Sequence, residues 1–105
     1  MSGHHLVEAF LEMMSAERGA ARNTIEAYRR DLGDYAGYLA GKGRSAQSAQ
    51  REDIVAYLAF LDAQGLVASS AARRLSALRQ FHKFLCADQI RSDDPTRIVA
   101  SPRTR

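Results

Sequence analysis

The stretch that decides the fold is SAARRLSALRQFHKFL, residues 70–85. Its apolar positions recur every three or four residues, which is the spacing of one face of an α-helix. The predicted buried stripe consists of Leu75, Leu78, Phe81, His82 and Leu85. We therefore predict an amphipathic helix that begins at Ser69 or Ser70, either of which is a suitable N-cap, and ends near residue 88.

The same spacing predicts three more helices before this one. They cover about residues 4–17, residues 23–40 and residues 51–64, and a glycine follows each of them. The second has the form of a capping box, because Asn23 supplies a side-chain oxygen at the cap and Glu26 stands three residues later. The predicted core residues are Val7, Phe10, Leu11, Met14, Ile25, Tyr28, Leu32, Tyr35, Leu39, Ile54, Leu58 and Leu61, with Tyr57 and Phe60 beside the last three.

Composition restricts the class of protein further. The 105 residues correspond to one ordinary domain, and 46% of them are hydrophobic, which is enough for a single core. One cysteine, Cys86, excludes a disulfide framework, and we expect its thiol to be buried on a helix. The sequence has neither an apolar run long enough for a membrane span nor a signal-peptide pattern. We therefore expect an all-α protein in the cytoplasm.

The composition changes after Ile90. Residues 93–95 begin either a turn or a short fifth helix, with Asp94 as cap and Pro95 at the first helical position. The last five residues have the composition of a linker. We therefore predict a helical domain over residues 1–92, followed by a short turn or helix and the start of a linker over residues 93–105.

The charges are sorted by helix. Residues 4–17 and 52–64 contain acidic residues and no lysine or arginine, whereas residues 66–87 contain four basic residues and no acidic one. Residues 22–44 contain five basic and three acidic residues. A surface built only for solubility would mix the two signs. With a net charge of +3 and a pI near 9.4, this sorting indicates one face that binds an anion and another turned away from it.

Helix four supplies the most specific candidates. A helical wheel places Arg73, Ser76, Gln80 and Lys83 opposite the core stripe, with Ala77 beside them where it would allow a close backbone approach. These four side chains can donate to phosphates, and arginine and glutamine can also read base edges. Ordinary solvated surface is the alternative for Lys83 and for Arg79, which is also on this helix.

Arg74 and the helix N-termini complete the candidate set. Arg74 leans toward the core side of the wheel, so its side chain either reaches outward or lies at an edge that faces the anion. The free amides at a helix N-terminus favour a phosphate. Polar side chains stand at both N-termini, where they are either phosphate ligands or simple caps: Ser69 and Ser70 on helix four, and Asn23 and Thr24, with Arg22 and Arg30 nearby, on helix two.

No constellation for chemistry is evident. His4, His5 and His82 do not combine with cysteines or carboxylates at metal-ligand spacing. We expect His82 to be a core or boundary histidine. The sequence predicts no cofactor, no metal site and no self-contained enzyme.

Two stretches carry a family resemblance. NTIEAYRRDL (residues 23–32) resembles the N-T-x-x-x-Y-x-x-D-L stretch of the N-terminal domain of Xer-type tyrosine recombinases and phage-type integrases. SAARRLSALR (residues 70–79) resembles the S-x-x-R-x-L-S-A-x-R stretch of the same domain. The segment from Asp93 to Pro102 is similar to the family's connection to its catalytic domain. The likeness covers roughly residues 5–103 and is closest to the XerD branch.

The resemblance implies a SAM-like bundle of four helices, arranged as two crossing hairpins, that forms one arm of a clamp around a double-stranded DNA half-site. Helices two and four would face the DNA. Carried over by position, the residues near DNA would be Thr24, Ala27, Ser69, Ser70, Arg73, Ala77 and Arg79. Arg74 departs from the family, whose members often have an apolar residue there.

The family's chemistry is implied to lie elsewhere. It requires a tyrosine nucleophile and an H-x-x-R motif in a catalytic domain, whereas the last tyrosine here is Tyr57 and no such motif occurs. The resemblance therefore implies that this chain does not cleave DNA, is a monomer alone, and in a longer protein works with other recombinase subunits as a tetramer on two sites. The alternative is a helical protein-interaction module whose basic groove receives an acidic partner, which would require an exposed apolar strip beside the basic face.

Overall fold

The computed structural model describes residues 4–100. Within this range it contains α1 (His4–Arg18), α2 (Arg22–Gly41), α3 (Arg51–Ala63) and α4 (Ala68–Ala87) and no β-strand. The predicted all-α class with four helices is therefore confirmed. None of these helices combines the length and apolar character needed to cross a membrane.

The chain forms two compact units, Met1–Ala46 and Gln47–Arg105. The first contains α1 and α2, and the second contains α3, α4 and the segment that follows them. The predicted division at residue 92 stays a prediction. Residues 101–105, predicted as the start of a linker, lie outside the described residues.

In the first unit, α1 packs against α2 along the predicted stripe. Val7, Phe10, Leu11 and Met14 are all buried. The ring of Phe10 meets the ring of Tyr28 edge to face, with centroids 5.8 Å apart. The buried residues of α2 include Leu32, Tyr35 and Leu39, as the 3.6-residue period predicted.

In the second unit, α4 packs against α3 with an inner face that is apolar except for His82. The five residues of its predicted stripe are each at most 1% exposed. From α3, Ile54, Tyr57 and Leu61 are buried. Phe60, predicted to lie beside these core residues, is instead 42% exposed, because it stands at the margin of the stripe.

The N-cap predicted for α2 is wrong. The helix begins at Arg22, with Ala21 as an N-cap in extended conformation and no side-chain cap hydrogen bond. Its backbone ladder starts with the Ile25 N–H donating to the Ala21 carbonyl at 3.0 Å. Asn23 therefore lies within the first turn, and Glu26 accepts a hydrogen bond from Arg29 instead of closing a capping box.

The N-cap predicted for α4 is wrong for the same reason. Val67 occupies the cap position in extended conformation, without a side-chain cap hydrogen bond, and the Ala71 N–H donates to its carbonyl at 3.0 Å. Ser69 and Ser70 are thus the second and third helical residues. A cap that the sequence did not predict occurs at α3, where the Gln50 N–H donates to Asp53 Oδ2 at 2.8 Å.

The segment after α4 forms turns over residues 95–98, which was one of the two sequence alternatives; the fifth helix does not form. Asp94 Oδ1 accepts hydrogen bonds from the Thr96 N–H at 2.9 Å and from Thr96 Oγ1 at 2.6 Å. Asp94 therefore caps a turn, and Thr96 and Val99 are buried within the second unit.

Candidate nucleic-acid interface

The exposed face of α4 carries a continuous stripe of hydrogen-bond donors. Arg73 and Ser76 are exposed, as are Ser69 and Lys83 near the ends of the helix, and Gln80 is half-buried. We call these five residues the α4 stripe. Their spacing of three or four residues places all of them on one side of the helix, opposite the buried stripe centred on Leu78.

The α4 stripe has the dimensions and chemistry for a polyanion. From Ser69 to Lys83 the stripe covers 14 residue steps, which correspond to about 21 Å along the helix axis. Every side chain in it can donate a hydrogen bond, two carry positive charge, and no acidic residue lies between Leu66 and Ala87. An anion that extended along this face would meet a hydrogen-bond donor at each turn of the helix and a cation at two of the five positions.

Ala77 is a correction to the wheel. The structure exposes only 2% of its surface, so its methyl group belongs to the buried side of α4. At about 100° per residue, Ala77 lies roughly a quarter of a turn from Leu78, at the border between the two faces. Ala77 thus contributes to packing, and the stripe runs past it through Ser76 and Gln80.

Arg74 is engaged inside the second unit. Its Nη1 donates to the hydroxyl of Tyr57 at 3.1 Å, and that tyrosine is fully buried. The sequence left two alternatives for this side chain, reaching outward or lying at an edge that faces an anion. The contact with Tyr57 matches neither of them. A tyrosine hydroxyl on the facing helix provides the hydrogen-bond partner that lets an arginine occupy this part-buried position.

Arg79 is also engaged within the unit. Its Nη2 donates to the carbonyl oxygen of Val99 at 2.6 Å, and the side chain is half-buried. Arg79 therefore ties the last turn of the described chain to the middle of α4. Its expected contact with DNA stays a prediction.

The first turns of α2 and α4 complete the candidate residues. Arg22, Asn23 and Thr24 are exposed at the start of α2. Ala27 is half-buried and Arg30 is exposed one and two turns later. Ser70 is half-buried at the start of α4. The amides of a first helical turn have no partner within the helix, so both N-termini have the polarity that suits an anion.

Two other arginines of α2 face carboxylates. Arg29 donates to both oxygens of Glu8, at 3.0 and 3.1 Å, and to Glu26 at 3.0 Å. The hydrogen bond from Arg29 lowers the pKa of Glu8, and the same contacts raise the pKa of Arg29. Arg30 Nε lies 3.5 Å from the buried Asp31 Oδ1. Much of the positive charge of α2 is therefore matched within the first unit.

A sequence comparison shows the family to which the chain belongs. The family described as phage integrase, N-terminal SAM-like domain, matches residues 7–89. The chain belongs to this family. The resemblance found in the two quoted stretches is therefore confirmed over most of the chain.

Several proteins with high sequence identity to this chain share the same name. Tyrosine recombinase XerD of Rhizobium meliloti is 57% identical over 92% of this chain. Proteins of the same name from Caulobacter vibrioides and Bradyrhizobium diazoefficiens are 48% and 45% identical over 96% and 93% of it. The chain spans only about a third of the length of these relatives, between 31% and 33%.

A cluster that the sequence analysis did not find surrounds His82, which is fully buried as predicted. Burial, and then the charge of Arg91, lowers the pKa of His82 to about 4. The Arg91 side chain is 6% exposed and forms an ion pair with Asp93 at 3.1 Å. The only sequence signal was the two-residue spacing of Arg91 and Asp93.

Cys86 lies at the edge of the same cluster. Its thiol is half-buried, less than expected, and donates to the carbonyl of Asp93 at 3.2 Å. Burial, and then the charge of Asp94, raises the pKa of the Cys86 thiol. Across residues 4–100, no group of three or more histidines, cysteines or carboxylates is placed to hold a metal ion.

Proposed function

We propose that this chain is the duplex-DNA-binding arm of a site-specific tyrosine recombinase, acting in the cytoplasm, and that the α4 stripe is its principal contact with DNA. The observation that carries the proposal is the stripe itself, with five donors on one exposed face and no acidic residue along the helix. The names of the relatives support the recombinase setting.

The chemistry of the stripe supports groove binding. An α-helix fits the major groove of B-form DNA, where arginine and glutamine make bidentate contacts with guanine and adenine. In this proposal Arg73 and Gln80 read base edges, while Ser69, Ser76 and Lys83 contact phosphates. The exposed first turn of α2, with Arg22, Asn23 and Thr24, supplies a second phosphate contact.

Strand cleavage belongs to another part of the longer protein in this proposal. The chain contributes affinity and orientation at one half-site, and other recombinase subunits complete the assembly. Ala27, Arg30 and Ser70 lie close along their helices to the residues proposed to contact DNA. Arg74 and Ala77 have no direct role in this proposal, because their contacts lie within the second unit. The half-buried Arg79 stays a candidate contact at the margin of the stripe.

A pair of charge reversals tests the proposal. Arg73 and Arg51 are both exposed arginines of the second unit, but only Arg73 lies on the α4 stripe. We expect Arg73→Glu to weaken binding to a half-site duplex by about 30-fold at low salt, because a phosphate contact is replaced by repulsion. Arg51→Glu makes the same charge change at the start of α3 and should weaken binding by less than about threefold. Fluorescence anisotropy over a series of salt concentrations measures both.

The comparison over the salt series distinguishes specific contacts of the α4 stripe from an effect of net charge on DNA affinity. If both reversals weaken binding equally, only net charge matters and the proposed stripe is wrong. If the wild-type chain does not bind duplex DNA at low salt, the proposal fails for this chain as a whole. Unchanged circular dichroism of both variants shows that the fold is retained.

The alternative, a groove for an acidic protein partner, has less support. It requires large exposed apolar side chains beside the basic face. Such residues in the described range are Val55 and Phe60 on α3, Val67 just before α4, and Ile98 in the last turn. None lies within α4, so the stripe has the polarity of a nucleic-acid contact more than that of a protein groove.

A further inference from the structure

α3 has an apolar outer face. Beyond its buried residues it exposes Val55 and Phe60, each 42% exposed, and the methyl groups of Ala56, Ala59 and Ala63. We call these five residues the α3 face. Single apolar residues scattered over a surface are ordinary, but these five follow one another along successive turns of one helix. A continuous apolar face of this kind is typical of a contact surface.

The α3 face is symmetric about its midpoint. Val55 and Phe60 lie equally far from a point between residues 57 and 58, and so do Ala56 and Ala59. At about 100° per residue, Val55 and Ala59 lie toward one edge of the face, and Ala56 and Phe60 lie toward the other. Each edge therefore combines one large side chain with one small one, in opposite order along the helix.

A second copy of α3, packed antiparallel about that midpoint, fits this pattern. A two-fold axis between the copies, perpendicular to the helices, reverses the helix direction and keeps each edge on its own side. Val55 then faces Ala59 of the second copy, and Phe60 faces Ala56 of the second copy. Large side chains thus meet small ones at all four positions, as they do in well-packed cores.

The charges beside the α3 face match in the same arrangement. Arg51 and Asp62 lie on one side of the helix, next to the edge that contains Val55. Both are exposed, and the ion pairs formed within residues 4–100 include neither of them. The antiparallel arrangement brings Arg51 to within about 3 Å, measured along the helix axis, of Asp62 of the second copy. Glu52 faces Ala63 of the second copy, at the solvent-exposed end of the contact.

We propose that the α3 face is a contact between two copies of this chain, packed antiparallel across a two-fold axis. α3 is about 20 Å long, so the contact buries much less than the roughly 800 Å² per partner of a standard interface. The chain is therefore a monomer at low concentration, and the contact forms when copies are held close together. It uses α3 and not the α4 stripe, so it stands or fails separately from the proposed function.

Disulfide trapping of the chain in the absence of DNA tests the proposal. Cys86→Ser in every variant leaves one engineered thiol per chain. In the proposed arrangement the two Cα atoms of residue 59 come within about 6 Å, which suits a disulfide, whereas those of residue 63 lie about 16 Å apart. We expect Ala59→Cys to form covalent dimers at least about tenfold faster than Ala63→Cys in a glutathione buffer.

Ala63→Cys is the matched control, because it places a thiol on the same exposed face of the same helix. Equal rates for the two variants overturn the proposal, since a parallel or random contact would produce them. Circular dichroism of the reduced variants shows that both keep the fold.

An exchange of charges tests the pairing of Arg51 with Asp62. In the Ala59→Cys chain, Arg51→Glu and Asp62→Arg should each slow dimer formation by about threefold or more, and the double variant should recover at least about half of the rate. Net charge cannot imitate this result, because the two single changes shift it in opposite directions and the double variant leaves it at +3. If the double variant stays as slow as the single ones, the proposed arrangement is wrong.

Nuclear magnetic resonance of the wild-type chain shows whether a second copy is the occupant. The signals of Val55 and Phe60 should shift as the concentration rises from about 50 μM to about 1 mM, while those of Ser76 on α4 stay in place. If the α3 signals do not depend on concentration, a different protein is the partner of this face and the proposal is overturned.

Discussion

α2 and α4 are both 20 residues long, and both come from basic stretches of sequence, yet they offer very different charge. On α2, Arg29 is held by two glutamates and Arg30 lies beside Asp31. On α4, the exposed Arg73 and Lys83 stand on a helix without a single acidic residue. The charge that a segment carries in sequence therefore differs from the charge that its surface offers, because neighbouring elements neutralise part of it.

The buried faces of the two helices differ as well. This difference leads to the largest predicted effect, a change in the free energy of unfolding with pH. α4 buries the imidazole of His82, whereas α2 buries the carboxylate of Asp31. The pKa of His82 in the folded chain is about 4, below its ordinary value of 6.5. The unfolded chain thus binds the extra proton first as the pH falls, so the stability contributed by neutral His82 is present above pH 6.5 and is lost toward pH 4.

We expect the free energy of unfolding to fall by about 2 kcal/mol between pH 7 and pH 5, from the size of the pKa difference. Urea denaturation at each pH measures it. His82→Gln cannot take up the proton and should flatten the pH dependence, although it will lower stability at pH 7. If that variant keeps the wild-type slope, the carboxylates are responsible and the assignment to His82 is wrong.

The outer faces can be compared by truncating one cation on each helix. Lys83→Ala on α4 should weaken binding to duplex DNA by about fivefold at low salt and reduce the slope of log affinity against log salt by about 1. Arg29→Ala on α2 should change affinity by less than about twofold, because that guanidinium is already engaged by Glu8 and Glu26. Equal losses for the two variants, measured by the same anisotropy titration, would remove the distinction between the helices.

The C-terminal ends of the two helices give the smallest effect. α2 is followed by Gly43 with φ of 72°, and α4 by Gln89 with φ of 59°. Both residues donate a backbone hydrogen bond of 3.0 Å to the helix, but only glycine adopts positive φ without strain. Gln89→Gly should therefore stabilise the chain by about 0.5 kcal/mol, and Gly43→Ala should destabilise it by about 1 kcal/mol. Thermal denaturation of both variants checks the opposite signs.

Periodicity predicted the helices and nearly all of the core, because the spacing of apolar residues is a local property of the sequence. Each residue of the predicted stripe in α4 is buried, and Arg73, Ser76 and Lys83 on the opposite arc are exposed. The helix starts were less predictable, because Ala21 and Val67 serve as N-caps on backbone geometry alone. No side-chain signal distinguishes such residues from their neighbours.

The sequence predicted those site residues whose position depends on α4 alone. It did not predict the contacts that α4 residues make with other segments. Arg73, Gln80 and Lys83 needed only a helical wheel. The roles of Arg74 and Arg79 depend on Tyr57, 17 residues away, and on Val99, 20 residues away. A wheel contains no information about such partners: it places Arg74 toward the core side but does not identify Tyr57 as its hydrogen-bond partner.

The bond between Arg79 and Val99 has a practical consequence for anyone who shortens this chain. The family match stops at residue 89, which would be a natural place to truncate. A fragment cut there would lose Arg91, whose charge lies close to His82, and the buried side chains of Thr96 and Val99. It would also leave the Arg79 guanidinium without its carbonyl acceptor. The smallest piece worth expressing therefore extends 13 residues past α4, from Ala87 to Ala100.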